Sequence, residues 1–377
     1  MSKPPDAQRP KALLLTPEAP GLGLGGGGLR IECMRQYLRQ RYDVTVLTFD
    51  LPVHSKSTVA KTLRNAGRLL RGRPPLFDRF SGQEAQLIPQ LEGLAYDVGV
   101  IEHFWCASYL PLLKQHCARV VIDLHNIESE LARTHAASLK GPKAWAQARF
   151  AGMYRDLERE WLPQFDSVLV TSEADRSRIA GFAQDVRVFP NAIPEVNLPQ
   201  GIAEQDVIAF SGNLEYHPNV EAVRWFRQEI WPLLREQFPA LKWRLVGRNP
   251  EAILHLVKGD SRIQLIGPVA DAVAALAEAK LCMVPLRSGS GTRFKILEAW
   301  AANRAVVSTT LGAEGLGAID GEHLLIADNA RSFADAVGRL LSDPELRTRL
   351  GAAGRTHYEE HFTWKAAWRA LDEAGGI

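Results

Sequence analysis

From Lys11 onward, short apolar runs alternate with segments of helical length. In the first half the runs are KALLLT (11–16), DVTVLTF (43–49), DVGVIEH (97–103), RVVIDL (119–124) and SVLVTS (167–172). Each is bounded by turn residues or by an amphipathic stretch such as LRIECMRQYLRQR (29–41). Strands of this kind, separated by helices, are what a parallel sheet covered on both faces requires. The rhythm lapses over 190–206, where Pro and Asn crowd the chain. It resumes with VIAFSG (207–212), KWRLVG (242–247), IQLIG (263–267), LCMVPL (281–286), AVVST (305–309) and HLLIA (323–327). Helices are expected over 219–237 and 292–302 among others.

The expected architecture is α/β: two Rossmann-like, doubly wound parallel-sheet domains facing one another across a cleft. The boundaries read as a disordered tail at 1–10, a first domain at 11–195, a linker at 196–205 and a second domain at 206–359. A closing amphipathic helix over 360–377 packs back on the first domain. Ligands in such sheets sit beyond the carboxyl ends of the strands.

Composition narrows the function. A chain of 377 residues, 46% of them hydrophobic, can fill two cores. Its formal net charge of +2 gives no global field for nucleic acid. Cys33, Cys106, Cys117 and Cys282 have no metal-ligand spacing, and MSKPPDAQRP lacks the apolar run of a signal peptide. No segment approaches about 18 uninterrupted apolar residues. A cytoplasmic setting, or one peripheral to the inner face of the membrane, is the expectation.

Two stretches carry candidate chemistry. PGLGLGGGGLR (20–30) contains G-x-G-x-x-G as Gly21, Gly23, Gly26 and again as Gly23, Gly25, Gly28, and Asp50 follows at the distance of a ribose-binding acid. The intervening PEAP is too long for the tight turn of a dinucleotide site. Gly25, Gly26, Gly27 and Gly28 instead read as a loop running into a helix near Leu29, where bare backbone lets an anion come close. In VPLRSGSGTRFKILEAWAANRAVVST (284–309), Thr292 is the expected helix cap, with Arg293 and Lys295 in the first turn. That is the unfavourable end for cations unless an anion such as a diphosphate sits there. Glu298, one turn after Lys295, is placed to hold ribose hydroxyls; the plain alternative is an i, i+3 pair on a solvated helix.

FSGNLEYHPNVEAVRWF, WRLVGRNP and GSGTRFKILEAWAANRAVVSTTLGAEGL together resemble the nucleotide-sugar domain of the family 4 retaining glycosyltransferases of GT-B fold. The glycine loop with Arg30, the IEHFW strand end and DLHNIES resemble the same family's N-terminal domain. The resemblance implies sugar transfer from a nucleoside-diphosphate sugar to an acceptor with retention and without an essential metal or other cofactor. It implies that Glu298 binds the donor ribose, that His125 reaches the donor sugar, and that Arg293 and Lys295 balance the diphosphate. Donor binding would further use Gly289, Ser290, Gly291, Thr292, Gly212, Asn213 and Arg248. The loop Gly25–Gly28, with Arg30 and His103, would line the phosphate and acceptor side. Two departures stand out: Ser290 replaces the first glutamate of the family's E-x7-E pair, and Asn213 and Asn219 occupy positions where relatives often carry Arg and Lys. No D-x-D motif occurs.

The alternative functions are a GT-B sugar-nucleotide epimerase, which needs no acceptor, and a noncatalytic sugar-nucleotide or glycan binder, which binds donor without turnover. The expected partners are a nucleotide-sugar and an acceptor glycan, glycolipid or small molecule, and no nucleic acid. Residues 56–73 carry Lys56, Lys61, Arg64, Arg68, Arg71 and Arg73 without an acid, with Val59, Leu63, Ala66, Leu69 and Leu70 at rough helical spacing. This stretch is a candidate contact with an anionic membrane. The alternative is a surface helix packed by its apolar side.

Overall fold

The computed structural model describes residues 9–17, 25–52, 57–198, 201–289 and 293–377. They form two compact units. One consists of the chain up to Phe189 plus Ala370–Ile377, the other of Pro190–Arg369.

In the first unit β1 (Lys11–Leu15), β2 (Asp43–Leu47), β3 (Tyr96–Glu102), β4 (Cys117–Asp123), β5 (Ser167–Val170) and β6 (Val186–Val188) form a parallel sheet in the order β2-β1-β3-β4-β5-β6. The helices are α1 (Gly25–Arg39), α2 (Thr58–Arg71), α3 (Pro75–Phe80), α4 (Glu84–Leu91), α5 (Leu110–Leu113), α6 (Glu128–Ala137), α7 (Pro142–Trp161) and α8 (Glu173–Ile179). The wholly buried Leu13, Leu15, Val120, Ile122 and Val168 of the central strands explain why those stretches read as unbroken apolar runs. The last eight residues complete this unit. Tyr37 Oη donates to Asp372 at 2.6 Å, Arg41 reaches the same carboxylate at 2.8 Å, and Tyr42 Oη donates to the Ile377 carbonyl at 2.9 Å.

The second unit holds β7 (Gln205–Ser211), β8 (Lys242–Val246), β9 (Ile263–Ile266), β10 (Ala279–Val284), β11 (Ala305–Ser308) and β12 (Leu325–Ile326), again all parallel, in the order β12-β11-β10-β7-β8-β9. Around them lie α9 (His217–Trp225), α10 (Trp231–Gln237), α11 (Leu254–Val257), α12 (Ala272–Ala277), α13 (Phe294–Ala301), α14 (Ala330–Ser342) and α15 (Pro344–His361). Then α16 (Trp364–Glu373) carries the chain into the first unit. A single π-helical turn, Phe226–Ile230, joins α9 to α10 and makes one long helical stretch of the expected 219–237 segment. Trp231, Trp243, Phe226 and Phe333 pack as an aromatic core beneath it.

Three expectations change. The four glycines are not a loop, because α1 already begins at Gly25. The first N–H groups of a helix lack internal acceptors, so side-chain-free residues are tolerated there at little cost. The helix expected from Thr292 begins at Phe294 with Arg293 as its N-cap residue, while Thr292 lies outside the described residues. The HLLIA strand shrinks to two residues, and β6 was not anticipated, since its three residues are too short to show a period.

α15 lies against α13 through Gly354: a Cβ built there would be 2.2 Å from Trp300 Cδ1. Trp300 is fully buried. We therefore expect Gly354→Ala to cost about 2–3 kcal/mol by overpacking. Thermal unfolding should show this as a midpoint about 5–10 °C lower.

Candidate functional site

In the second unit strand order reverses between β7 and β10, the position at which open α/β sheets bind ligands. The turns after β7 and β8 touch backbone to backbone, since a Cβ on Gly247 would fall 1.7 Å from the Gly212 carbonyl oxygen. No other residue fits there. The close approach leaves the end of β7 open to side chains arriving from α13.

Lys295, in the first turn of α13, brings Nζ to 3.1 Å from Asn219 Oδ1 and 5.3 Å from the centre of the Phe210 ring. The same ammonium lies 3.5 Å from where a Gly212 side chain would begin. Glu298, one turn later, accepts from Ser211 Oγ at 2.9 Å. The two α13 side chains thus converge on one strand end, each with its own hydrogen-bond partner, rather than forming a simple surface pair. Burial pushes the Lys295 ammonium down to about 8, assisted by Arg293 and opposed by Glu298. Burial also pushes the Glu298 carboxyl up, against the Ser211 hydrogen bond and the Lys295 charge. A lysine depressed in this way binds its proton more tightly when an anion arrives.

The other expected donor-site residues divide. Asn219 is itself held, donating Nδ2 to the Asn213 carbonyl at 2.7 Å. The residue that departs from the family's usual cation therefore serves to aim Lys295. The Asn213 side chain instead shapes its turn, accepting from the Glu215 amide and from Asn249 Nδ2, both at 3.1 Å. Arg293 is buried at the N-cap, not exposed in the first turn, and its guanidinium lies over Gly289, 3.1 Å from where a Cβ would stand. Arg248 is half-buried in the turn after β8, where its carbonyl accepts from the Leu214 amide at 2.9 Å. Ser290, Gly291 and Thr292 lie outside the described residues, as do Gly21 and Gly23.

In the first unit the order reverses between β1 and β3. Arg30 of α1 is 1% exposed and clamps Asp123 at the end of β4, with Nε to Oδ2 at 2.9 Å and Nη2 to Oδ1 at 2.5 Å. Its Nη1 donates to the Phe189 carbonyl at 2.7 Å, and the guanidinium stacks 4.8 Å over the Phe189 ring. This corrects the expectation that Arg30 faces a phosphate: its charge is spent inside the unit. Register places Glu102 opposite Asp123, and Glu102 Oε2 lies 2.7 Å from His125 Nε2. The other edge of that ring faces α1, for a Cβ on Gly27 would be 3.9 Å from His125 Nδ1. His103, expected to line the acceptor side, is 5% exposed. Its ring is sandwiched between Trp105 at 4.1 Å and His125 at 3.6 Å, and its backbone takes φ 68°.

Burial pushes the Glu102 carboxyl up to about 8, with Arg30 pulling the other way. Glu102 thus engages the Nε2 edge of His125, while the Nδ1 edge faces the glycines of α1. Glu102, Asp123 and His125 offer atoms within 4.8 Å of one another. That grouping suits a cation, but Asp123 already binds the guanidinium through both oxygens and Nε2 is engaged by Glu102. Arg30 therefore fills the role of the cation.

Sequence reasoning missed Glu102, Ser211, Phe210 and Asn219 as parts of these clusters. Glu102 had a legible signal, an acid ending an otherwise apolar strand. The others depend on which strands become neighbours.

Two parallel-sheet units, each with a topological switch point, make a two-domain α/β fold of the GT-B type, and the comparisons with known proteins identify its family. Residues 24–195 match the family described as Glycosyltransferase Family 4, and residues 205–343 match Glycosyl transferases group 1. The chain belongs to the group 1 glycosyltransferases of family 4 type. It is 27% identical over 135 residues to an uncharacterized 44.6 kDa protein in the cps region of Klebsiella pneumoniae, a match covering 34% of this chain and 35% of that protein. The chain thus spans about a third of that relative's length. Among solved structures, sucrose-phosphate synthase from Thermosynechococcus elongatus aligns with TM-score 0.71 at 16% identity, covering 97% of this chain and 98% of the other. Anabaena HepE in complex with UDP-glucose aligns with TM-score 0.65 at 16% identity over 97% and 98%.

Because a buried charge that loses its partner is penalised heavily, Asp123→Ala should destabilise the protein by about 3–5 kcal/mol. The double change Arg30→Met with Asp123→Leu should cost distinctly less. Denaturant titration of the two variants checks the ordering.

Proposed function

We propose that the protein moves a sugar, with retained anomeric configuration and without a metal, from a nucleoside-diphosphate sugar to an acceptor hydroxyl in glycan, polysaccharide or glycolipid assembly. The observation that carries this reading is Lys295, a depressed ammonium at a helix start beside the glycine turn that ends β7. As the bond from the sugar's anomeric carbon to the diphosphate breaks, negative charge collects on the β-phosphate. Lys295 and the unsatisfied N–H groups opening α13 are preorganised for that charge. Glu298 accepts from the ribose hydroxyls, exchanging Ser211 for substrate. The acceptor hydroxyl attacks from the face the leaving group vacates, and its proton passes to the departing phosphate oxygen. His125, oriented by Glu102, is the group of the first unit assigned to the transferred sugar. Support also comes from the UDP-glucose bound by HepE and from the cps region that encodes the Klebsiella relative.

Lys295→Ala and Glu298→Ala should each lower turnover by about a hundredfold, the scale of losing one preorganised group at a charged transition state. Near-normal rates in both would remove the site from consideration.

A second expectation follows from the depressed lysine. Its charge is present below about pH 8 and lost above it. UDP affinity, measured by calorimetry, should therefore be level below that pH and fall by up to about tenfold per unit above it. In Lys295→Ala the profile should be flat over the same range. EDTA should leave the wild-type affinity unchanged.

A further inference from the structure

Helix α2 is turned inside out. Its inward side, apart from the half-buried Leu69, is polar: Arg68, 8% exposed, donates from Nε to Asp78 Oδ2 at 2.9 Å and from Nη1 to Asn65 Oδ1 at 3.2 Å. Val59, Leu63, Ala66 and Leu70 recur at i, i+4, i+7 and i+11, so they form one stripe along the helix. That stripe faces outward, with Val59 69%, Leu63 68% and Leu70 90% exposed. A helix that merely completes a core does the reverse, so packing within the unit does not account for this arrangement.

Charge identifies what covers the stripe. Exposed Lys61, Arg71 and Arg73, together with Arg64, surround it, and no acid occurs between Ser57 and Arg73. Asp78, the acid nearest in sequence, is taken up by Arg68 and Arg71. The helix is capped at its end by Gly72 in the left-handed conformation, with φ 66°, which leaves Arg73 beyond the last turn. A protein partner with an apolar groove would need a matching ring of acids. A bilayer supplies an apolar interior and anionic headgroups at once, in the order in which this helix presents its side chains. α7, which packs beside α2, also opens on an exposed Trp145 among Lys140, Lys143 and Arg149. Tryptophan beside cations is the composition of a membrane interface.

We propose that α2 is a docking helix for an anionic lipid bilayer, lying in the headgroup plane with Val59, Leu63 and Leu70 inserted and Lys61, Arg64, Arg71 and Arg73 on the phosphates. This does not depend on the donor-site reading. Among the described residues no helix is long and apolar enough to cross a membrane. Attachment through α2 is of the peripheral kind and responds to salt.

The test uses the full chain with vesicles of phosphatidylcholine alone and of phosphatidylcholine mixed with phosphatidylglycerol. Co-sedimentation is expected with the mixed vesicles only, declining as salt is raised. Leu63→Glu with Leu70→Glu should lower the bound fraction by about tenfold or more while leaving circular dichroism and the thermal midpoint unchanged, since both side chains are exposed. Lys61→Gln with Arg73→Gln should weaken binding and flatten its salt dependence. No binding to anionic vesicles, or equal binding by the Leu63→Glu, Leu70→Glu variant, overturns the proposal. It is equally overturned if sedimentation equilibrium shows a dimer that this variant splits, because the stripe would then cover a second copy.

Discussion

The first unit is organised around one buried charge. Arg30 leaves the first turns of α1 and must be neutralised where water does not reach, so Asp123 stands at the end of β4 and the Phe189 carbonyl turns toward the remaining N–H. Such a pair contributes little net stability, because desolvation offsets most of the attraction, but its geometry is exacting. It fixes how α1 lies on the sheet and hence where the glycines of its first turn stand. Glu102, opposite Asp123 in the register, then has a neighbouring cation but no direct ion pair, and finds His125 instead. The ring orientation of His125 is thus set by a chain of electrostatic obligations that begins three elements away.

The second unit reaches a similar result by steric means. There the constraint is the contact of two turns, Gly212 against Gly247, which closes the sheet ends tightly enough that Lys295 and Glu298 can reach β7. Asn219 and Ser211 hold the two long side chains in extended positions before any ligand is present. Orientation is therefore largely established in the empty protein, and the protein forgoes some ammonium basicity to keep it.

Much of this was legible in the sequence, for identifiable reasons. Strands buried on both faces leave unbroken apolar runs, so eleven of the twelve were evident, and VIEH and DLH announced polar residues at strand ends. Cations at a helix start, against the dipole, drew attention to Lys295. Arg30 was misread because a lone arginine after glycines looks the same whether it meets a phosphate or an aspartate ninety-three positions on. That Asn219 holds Lys295 was not legible, because the lysine lies on another helix. His103 was expected to line the acceptor side, whereas the rings of Trp105 and His125 enclose it. Arg30 and Lys295 each depend on a long-range partner, which one-dimensional spacing does not encode.

The order in which the polypeptide is made meets an unusual requirement here. Tyr37 and Arg41 await Asp372, Tyr42 awaits Ile377, and Arg187 awaits the Gly376 carbonyl at 2.5 Å. All four waiting groups are synthesised before the second unit, and their partners after it. During translation the amino-terminal sheet must persist with these contacts unmade while some 180 further residues emerge and fold. Its final contacts form only after the second unit has been made, so that completion of one unit reports that the other has been synthesised.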